Sequence, residues 1–180
     1  MGDALPHGRG SEVDRGTVPQ VAHRAARVSK RVIGIGNPDR GDDAAGLIAA
    51  RRAGGIEFTG DALSLLEEWS GGGHFILIDA VKTGAKPGTI HNWDAQDLPP
   101  AADHLRSSTH AFSVADAIRL AAATGRLPAR LTVIGIEARQ FEPGTSPSPE
   151  VLAAVDKVVE QLRSSSSAYS APAGSSSCLK

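Results

Sequence analysis

Asp42 and Asp43 in one turn, Asp79 at the end of an apolar run, and His110 after Ser107-Ser108-Thr109 are the side chains of this 180-residue chain best suited to chemistry. The turn reads Gly34-Ile35-Gly36-Asn37-Pro38-Asp39-Arg40-Gly41-Asp42-Asp43 and follows a short β-branched strand. A glycine-rich turn there invites a dinucleotide reading, but the third glycine of that fingerprint would fall on Asp39. Three aspartates would also repel a pyrophosphate, and no Gly-Lys-Ser/Thr follows to make a phosphate loop. A nucleotide-binding enzyme is therefore the reading that the spacing disfavours. The turn suits a cation or a proton-carrying role. Helix capping would account for one of Asp42 and Asp43 but hardly for both. Gly36, Asn37 and Asp42 read as support for the loop.

Asp79 closes the strand Phe75-Ile76-Leu77-Ile78. Open α/β sheets place ligand contacts at such strand ends, although a solvated strand end is the plain alternative. With strand order two, one, three, Asp43 and Asp79 would face each other across a crevice. Two carboxylates that close raise each other's proton affinity unless a cation intervenes. His110 opens a helix that precedes the fifth strand, so it could reach the same edge. Two carboxylates and one imidazole form a set that suits nickel, zinc or non-haem iron and leaves coordination positions open. His7 and His23 fall in the leader, and His74, His91 and His104 read as surface or strand-edge residues.

The elements that must position these groups alternate. Strands are expected at Arg31–Gly36, Ile56–Thr59, His74–Asp79, Gly88–Trp93 and Leu131–Ile136. Helices are expected at Asp43–Ala53, Asp61–Trp69 (with Asp61 as N-cap), His110–Thr124 and Pro149–Leu162. The pattern predicts an α/β three-layer sandwich: a twisted, five-stranded, mostly parallel sheet with helices on both faces. Parallel neighbours need a crossover of about a dozen residues or more. The link from Asp79 to Gly88 is too short, so the fourth strand is expected as one antiparallel edge strand.

Residues 1–31 hold six basic and three acidic side chains; residues 32–163 hold twelve and seventeen. The formal net charge of −1 excludes an overall electrostatic case for nucleic acid or an anionic membrane. Residues 1–29 show no period and read as a mobile leader. The folded domain is expected over 30–163. Residues 164–180 contain eight serines and read as a disordered tail. A single cysteine, Cys178, excludes an internal disulfide framework and any cysteine-built metal site. No spanning segment or secretory signal is apparent, so the cytoplasm is the expected setting.

The run from Val32 to Gly46 resembles the opening motif of the nickel–iron hydrogenase maturation proteases, or maturation endopeptidases. Thr59-Gly60-Asp61, Ile76-Leu77-Ile78-Asp79-Ala80, Pro87-Gly88-Thr89, Ser108-Thr109-His110, Val133 to Glu137 and Phe141-Glu142-Pro143-Gly144 are similar to later segments of that family, in order. The resemblance covers about residues 31–162. It implies a twisted, mostly parallel sheet between helices. It implies an endopeptidase that removes the C-terminal extension of a nickel–iron hydrogenase large-subunit precursor after nickel insertion. It also implies that Asp43, Asp79 and His110 contact nickel supplied by that substrate, with zinc or cadmium as surrogates. Asp43 and Asp79 are then the catalytic candidates, either as an acid/base pair on water or assisted by the metal. A monomer is expected. The alternative is a non-proteolytic nickel-sensing chaperone of the same fold.

Overall fold

The computed structural model describes residues 30–60, 62–69, 73–95 and 114–167. The expected leader 1–29, Asp61, His104, His110 and residues 168–180, including Cys178, lie outside them. In chain order come β1 (Lys30–Ile35), a 3-10 turn (Gly41–Ala44), α1 (Ala45–Ala53), β2 (Ile56–Phe58) and α2 (Ala62–Glu68). They are followed by β3 (His74–Val81), β4 (Ile90–Asp94), α3 (Val114–Ala123), β5 (Arg130–Glu137) and α4 (Pro149–Ser167). The sheet order is β2-β1-β3-β5-β4. β4 alone runs antiparallel, paired with β5 at the edge. The eight residues between the ends of β3 and β4, Lys82 to Thr89, cannot house a crossover, and the chain hops to the far edge instead.

Side-chain alternation divides the core between two faces. Ile33, Leu77, Leu131 and Val133 point toward α2 and α3, where they meet Leu65, Trp69, Val114 and Ile118. Ile76, Ile78, Ile134 and Ile136 point toward α1 and α4, where they meet Ala49, Val151, Val155 and Val158. Both faces of β3 and β5 are covered, which is why these strands read as nearly continuous apolar runs.

The helix on β1 and β3 sits unusually close. A Cβ built on Gly46 of α1 would lie 2.2 Å from the Ile78 carbonyl and 2.3 Å from the Ile35 carbonyl. One on Gly34 of β1 would lie 1.9 Å from the Gly46 carbonyl. Glycine at both positions lets helix backbone rest on strand backbone. That approach draws the start of α1, and with it Asp43, down beside Ile78 and Asp79. Gly46→Ala is expected to cost about 1–3 kcal/mol, because backbone atoms must move and no flexible side-chain end can yield. A urea titration of the variant against the native chain measures it.

Several boundaries differ from expectation. The first helix opens as a 3-10 turn and becomes α-helical only at Ala45. There the Asp42 N–H turns outward to the Gln140 carbonyl (3.3 Å). β3 and β5 each run past their expected ends, because Val81 pairs with Glu137. α4 continues four residues beyond Arg163, into the serine-rich stretch read as a disordered tail. The Ser164 and Ser165 hydroxyls donate back to the Gln161 carbonyl, which lets serine extend a helix end. Among the described residues no helix is long and apolar enough to cross a membrane.

Candidate active site

Asp79 lies inside β3, two residues before its end, with its side chain on the α2/α3 face alongside Leu77 and Val81. The turn after β1 packs against β3 and carries Asp43. β1 and β3 are parallel neighbours, but β1 leads to β2 on one side and β3 leads to β4 on the other. The acidic residues therefore sit at the point where the strand order diverges, the usual place for a crevice in an open α/β sheet.

Both carboxylates are fully buried. Burial pushes the Asp79 carboxyl well above the ordinary carboxylate range, and the charge of Asp43 pushes it further; only the Ala80 N–H, 2.9 Å from Asp79 Oδ1, opposes them. Asp79 Oδ2 is buried and has no hydrogen-bond partner among the described residues. This arrangement favours a proton on Asp79, or a divalent cation whose charge lets both groups ionise. Carboxylate oxygens and an unengaged Oδ2 fit a hard or borderline ion. Among the described residues no group of three His, Cys, Asp or Glu side chains assembles around an ion. The third expected ligand, His110, lies outside those residues.

Neither Asp42 nor Asp43 serves as an N-cap, contrary to the capping alternative. Arg40 precedes the 3-10 turn and Ala44 precedes α1, and neither start has a side-chain cap. Asp42 instead ties the turn to the segment between β5 and α4. Its Oδ2 accepts the N–H groups of Arg139 (2.8 Å) and Gln140 (3.1 Å) and the Ser148 hydroxyl (2.9 Å). Its Oδ1 accepts the Ser148 N–H at 2.5 Å. Asn37 Oδ1 accepts the Asp39 N–H at 2.9 Å and shapes the start of the turn. Gly36 has φ of +150°, and a Cβ there would lie 1.9 Å from the Asp43 carbonyl. A side chain at position 36 would push Asp43 away from β3.

Sequence reasoning passed over Glu137 as a functional group and read His91 as a surface or edge residue. Glu137 ends β5 and is 1% exposed. Its carboxylate accepts the N–H and hydroxyl of Thr83, the N–H of Gly84, and faces His91 Nε2 at 3.3 Å. His91 stacks on Trp93, with ring centroids 5.2 Å apart. Asp79 and His91 both pair with Gly135, so His91 stands two strands from Asp79 in the same row, with Gly135 of β5 between them. Burial alone would raise the Glu137 carboxyl, but the Thr83, Gly84 and His91 hydrogen bonds outweigh it and lower it. A carboxyl lowered by folding adds stability above its ordinary range and loses it as pH falls through the lowered value. Glu137→Gln is therefore expected to lower the melting temperature at pH 7, with an effect that shrinks as pH falls below the ordinary carboxylate range and through the lowered value, as melts across pH would record.

These features define a doubly wound α/β protein with a buried acidic pair at its topological switch point. A family model for hydrogenase maturation proteases matches residues 60–165. The chain belongs to the hydrogenase maturation protease family. That stretch includes Asp79 and His110, and Asp43 precedes it. The chain is 27% identical over 101 residues to the hydrogenase 2 maturation protease of Escherichia coli K12. The match covers 56% of this chain and 61% of that relative, less than two thirds of its length. Among solved structures, the [NiFe] hydrogenase maturation protease HybD from Thermococcus kodakarensis superposes with a TM-score of 0.57 at 27% identity, covering 75% of this chain and 97% of that one. The hydrogenase maturating endopeptidase HybD from Escherichia coli shares the fold with a TM-score of 0.65 at 24% identity, covering 78% and 93%.

Proposed function

We propose that this chain is an endopeptidase that removes the C-terminal extension of a nickel–iron hydrogenase large-subunit precursor once nickel is in place. The observation that carries the reading is the buried Asp43–Asp79 pair, in a chain of the maturation protease family. Nickel here belongs to the substrate. Without it, burial and then the charge of Asp43 favour a proton on Asp79. A divalent ion carried in by the client replaces that proton as the neutralising charge. Asp43 and Asp79, with His110 as the third expected ligand, thereby respond to nickel loading. Peptide hydrolysis then needs water delivered to the scissile carbonyl and a proton delivered to the leaving amine. With both carboxylates ionised around the ion, one of them can take the proton from the attacking water and pass it to the leaving amine.

The test mixes the protein with nickel-loaded precursor and follows the large subunit on a gel. A shortened product supports the endopeptidase. A stable complex without shortening replaces it with a nickel-sensing chaperone of the same fold.

A further inference from the structure

Arg40 is held firmly for a loop residue. Its N–H donates to the Asn37 carbonyl (3.4 Å), and its carbonyl accepts the Asp43 N–H (3.2 Å). Just before it, the Asp39 carbonyl accepts the Gly144 N–H at 2.8 Å. Just after it, Gly41 rests against the side chains of Gln140 and Thr145, and Asp42 is locked by its four hydrogen bonds. Neighbours thus fix the backbone on both sides of Arg40.

Its side chain is treated in the opposite way. Arginine usually buries its methylene stem and leaves the charged head in water. In Arg40 the head nitrogen Nη1 is itself buried, and it has no hydrogen-bond partner among the described residues. A buried charged donor without an acceptor is among the more costly features a fold can retain. A guanidinium cannot relieve that cost by losing its proton. Nor does Arg40 relieve Asp79, whose shift comes from burial and the Asp43 charge, opposed by the Ala80 N–H. The turn therefore keeps an unsatisfied cationic donor three residues before Asp43.

The geometry points to Arg40 as a binding residue for the client chain, taking an oxygen acceptor of the polypeptide next to the scissile bond. This rests on the function proposed above. The acceptor is a carboxylate or a main-chain carbonyl, both of which the planar guanidinium matches. Because the turn is already rigid, little order is lost when the client arrives. Because Arg40 and Asp43 share that turn, the contact fixes which peptide bond reaches the acidic pair.

Arg40→Met and Arg40→Lys, assayed on nickel-loaded precursor with KM and kcat separated, test the assignment. Arg40→Met is expected to raise KM at least tenfold with kcat changed less than twofold. Its melting temperature should equal or exceed that of the native chain, because a stored unpaired charge is removed. Arg40→Lys should recover only part of the binding. Changing acidic residues of the precursor's extension to amides separates the sources: the Arg40 effect disappears for a carboxylate and persists for a carbonyl. A native KM in Arg40→Met, or a lowered melting temperature with KM unchanged, overturns the assignment and leaves the proposed function standing. If the native chain cleaves no precursor, the proposed function fails and the Arg40 assignment falls with it.

Discussion

Asp79→Asn should cut cleavage of a nickel-loaded precursor by about 10²–10⁴-fold, and Asp43→Asn should do the same. Either change removes a carboxylate from the pair proposed to work by sharing one proton or one cation. The same variants carry a second signature. The Asp79 carboxyl is raised by folding, through burial and the Asp43 charge. In the native state it keeps its proton at pH values where the unfolded chain has already lost it. Between the ordinary carboxylate range, near pH 4, and the raised value, the native state binds more protons than the unfolded state. Stability therefore falls as pH rises through that window and stays reduced above it. An asparagine has no proton to lose, and its amide can donate to Asp43. Asp79→Asn is thus expected to melt higher than the native chain at pH 7, by about 2–4 °C for each kcal/mol of repulsion relieved. Near pH 3 the difference should vanish. Loss of cleavage with a gain in stability is the mark of a group kept for function. Loss of cleavage with a lower melting temperature at pH 7 would assign Asp79 to the fold instead.

Asp42→Ala should be the most destabilising of the acidic substitutions, although Asp42 adjoins Asp43. Its carboxylate gathers three N–H donors and one hydroxyl from residues 139, 140 and 148. Alanine leaves the two Ser148 donors buried, and the Arg139 and Gln140 donors part-buried, without that acceptor, and frees the turn from the segment that precedes α4. The expected loss is about 3–5 kcal/mol, read as a lower midpoint in denaturant at constant slope. Asp42→Asn should fall between alanine and the native residue. Its amide oxygen can replace Oδ2, but its NH2 then opposes the Ser148 N–H. Equal stability of the alanine variant and the native chain would contradict the locking role. Asp42 and Asp79 thus have opposite signatures: Asp42 is held by hydrogen bonds that repay its burial, while Asp79 meets burial and the charge of Asp43.

Much of this architecture was legible because it follows from local rules. Alternating short apolar runs and helical periods predicted the layered α/β sheet. A short link after β3 predicted that β4 would pair antiparallel at an edge. The acidic residue that closes an apolar strand marked Asp79, and the failed dinucleotide spacing at Asp39 turned attention to Asp43. What stayed hidden depended on register. Glu137 also closes an apolar strand, the same signal that marked Asp79. Its partners Thr83, Gly84 and His91 become visible only once β3, β4 and β5 lie side by side. His91 read as an edge residue because its row-mate across the sheet, Asp79, is reached only through Gly135. Spacing alone did not separate Asp42 from Asp43; the family resemblance took Asp43 as the ligand and left Asp42 as loop support. Their difference arises from Ser148, more than a hundred residues away. Composition misled at the C-terminus, where serines suggested disorder but their hydroxyls prolong α4 through Ser165.

Mass spectrometry of the large-subunit precursor, incubated with this protein with and without its nickel, addresses the central claim most directly. The paired aspartates are predicted to act only where the client brings the ion. The nickel-loaded precursor should lose its C-terminal extension, and the nickel-free precursor should keep it over the same time. Equal shortening of both precursors, or shortening of the loaded precursor by a chain carrying Asp43→Asn and Asp79→Asn together, would contradict the account.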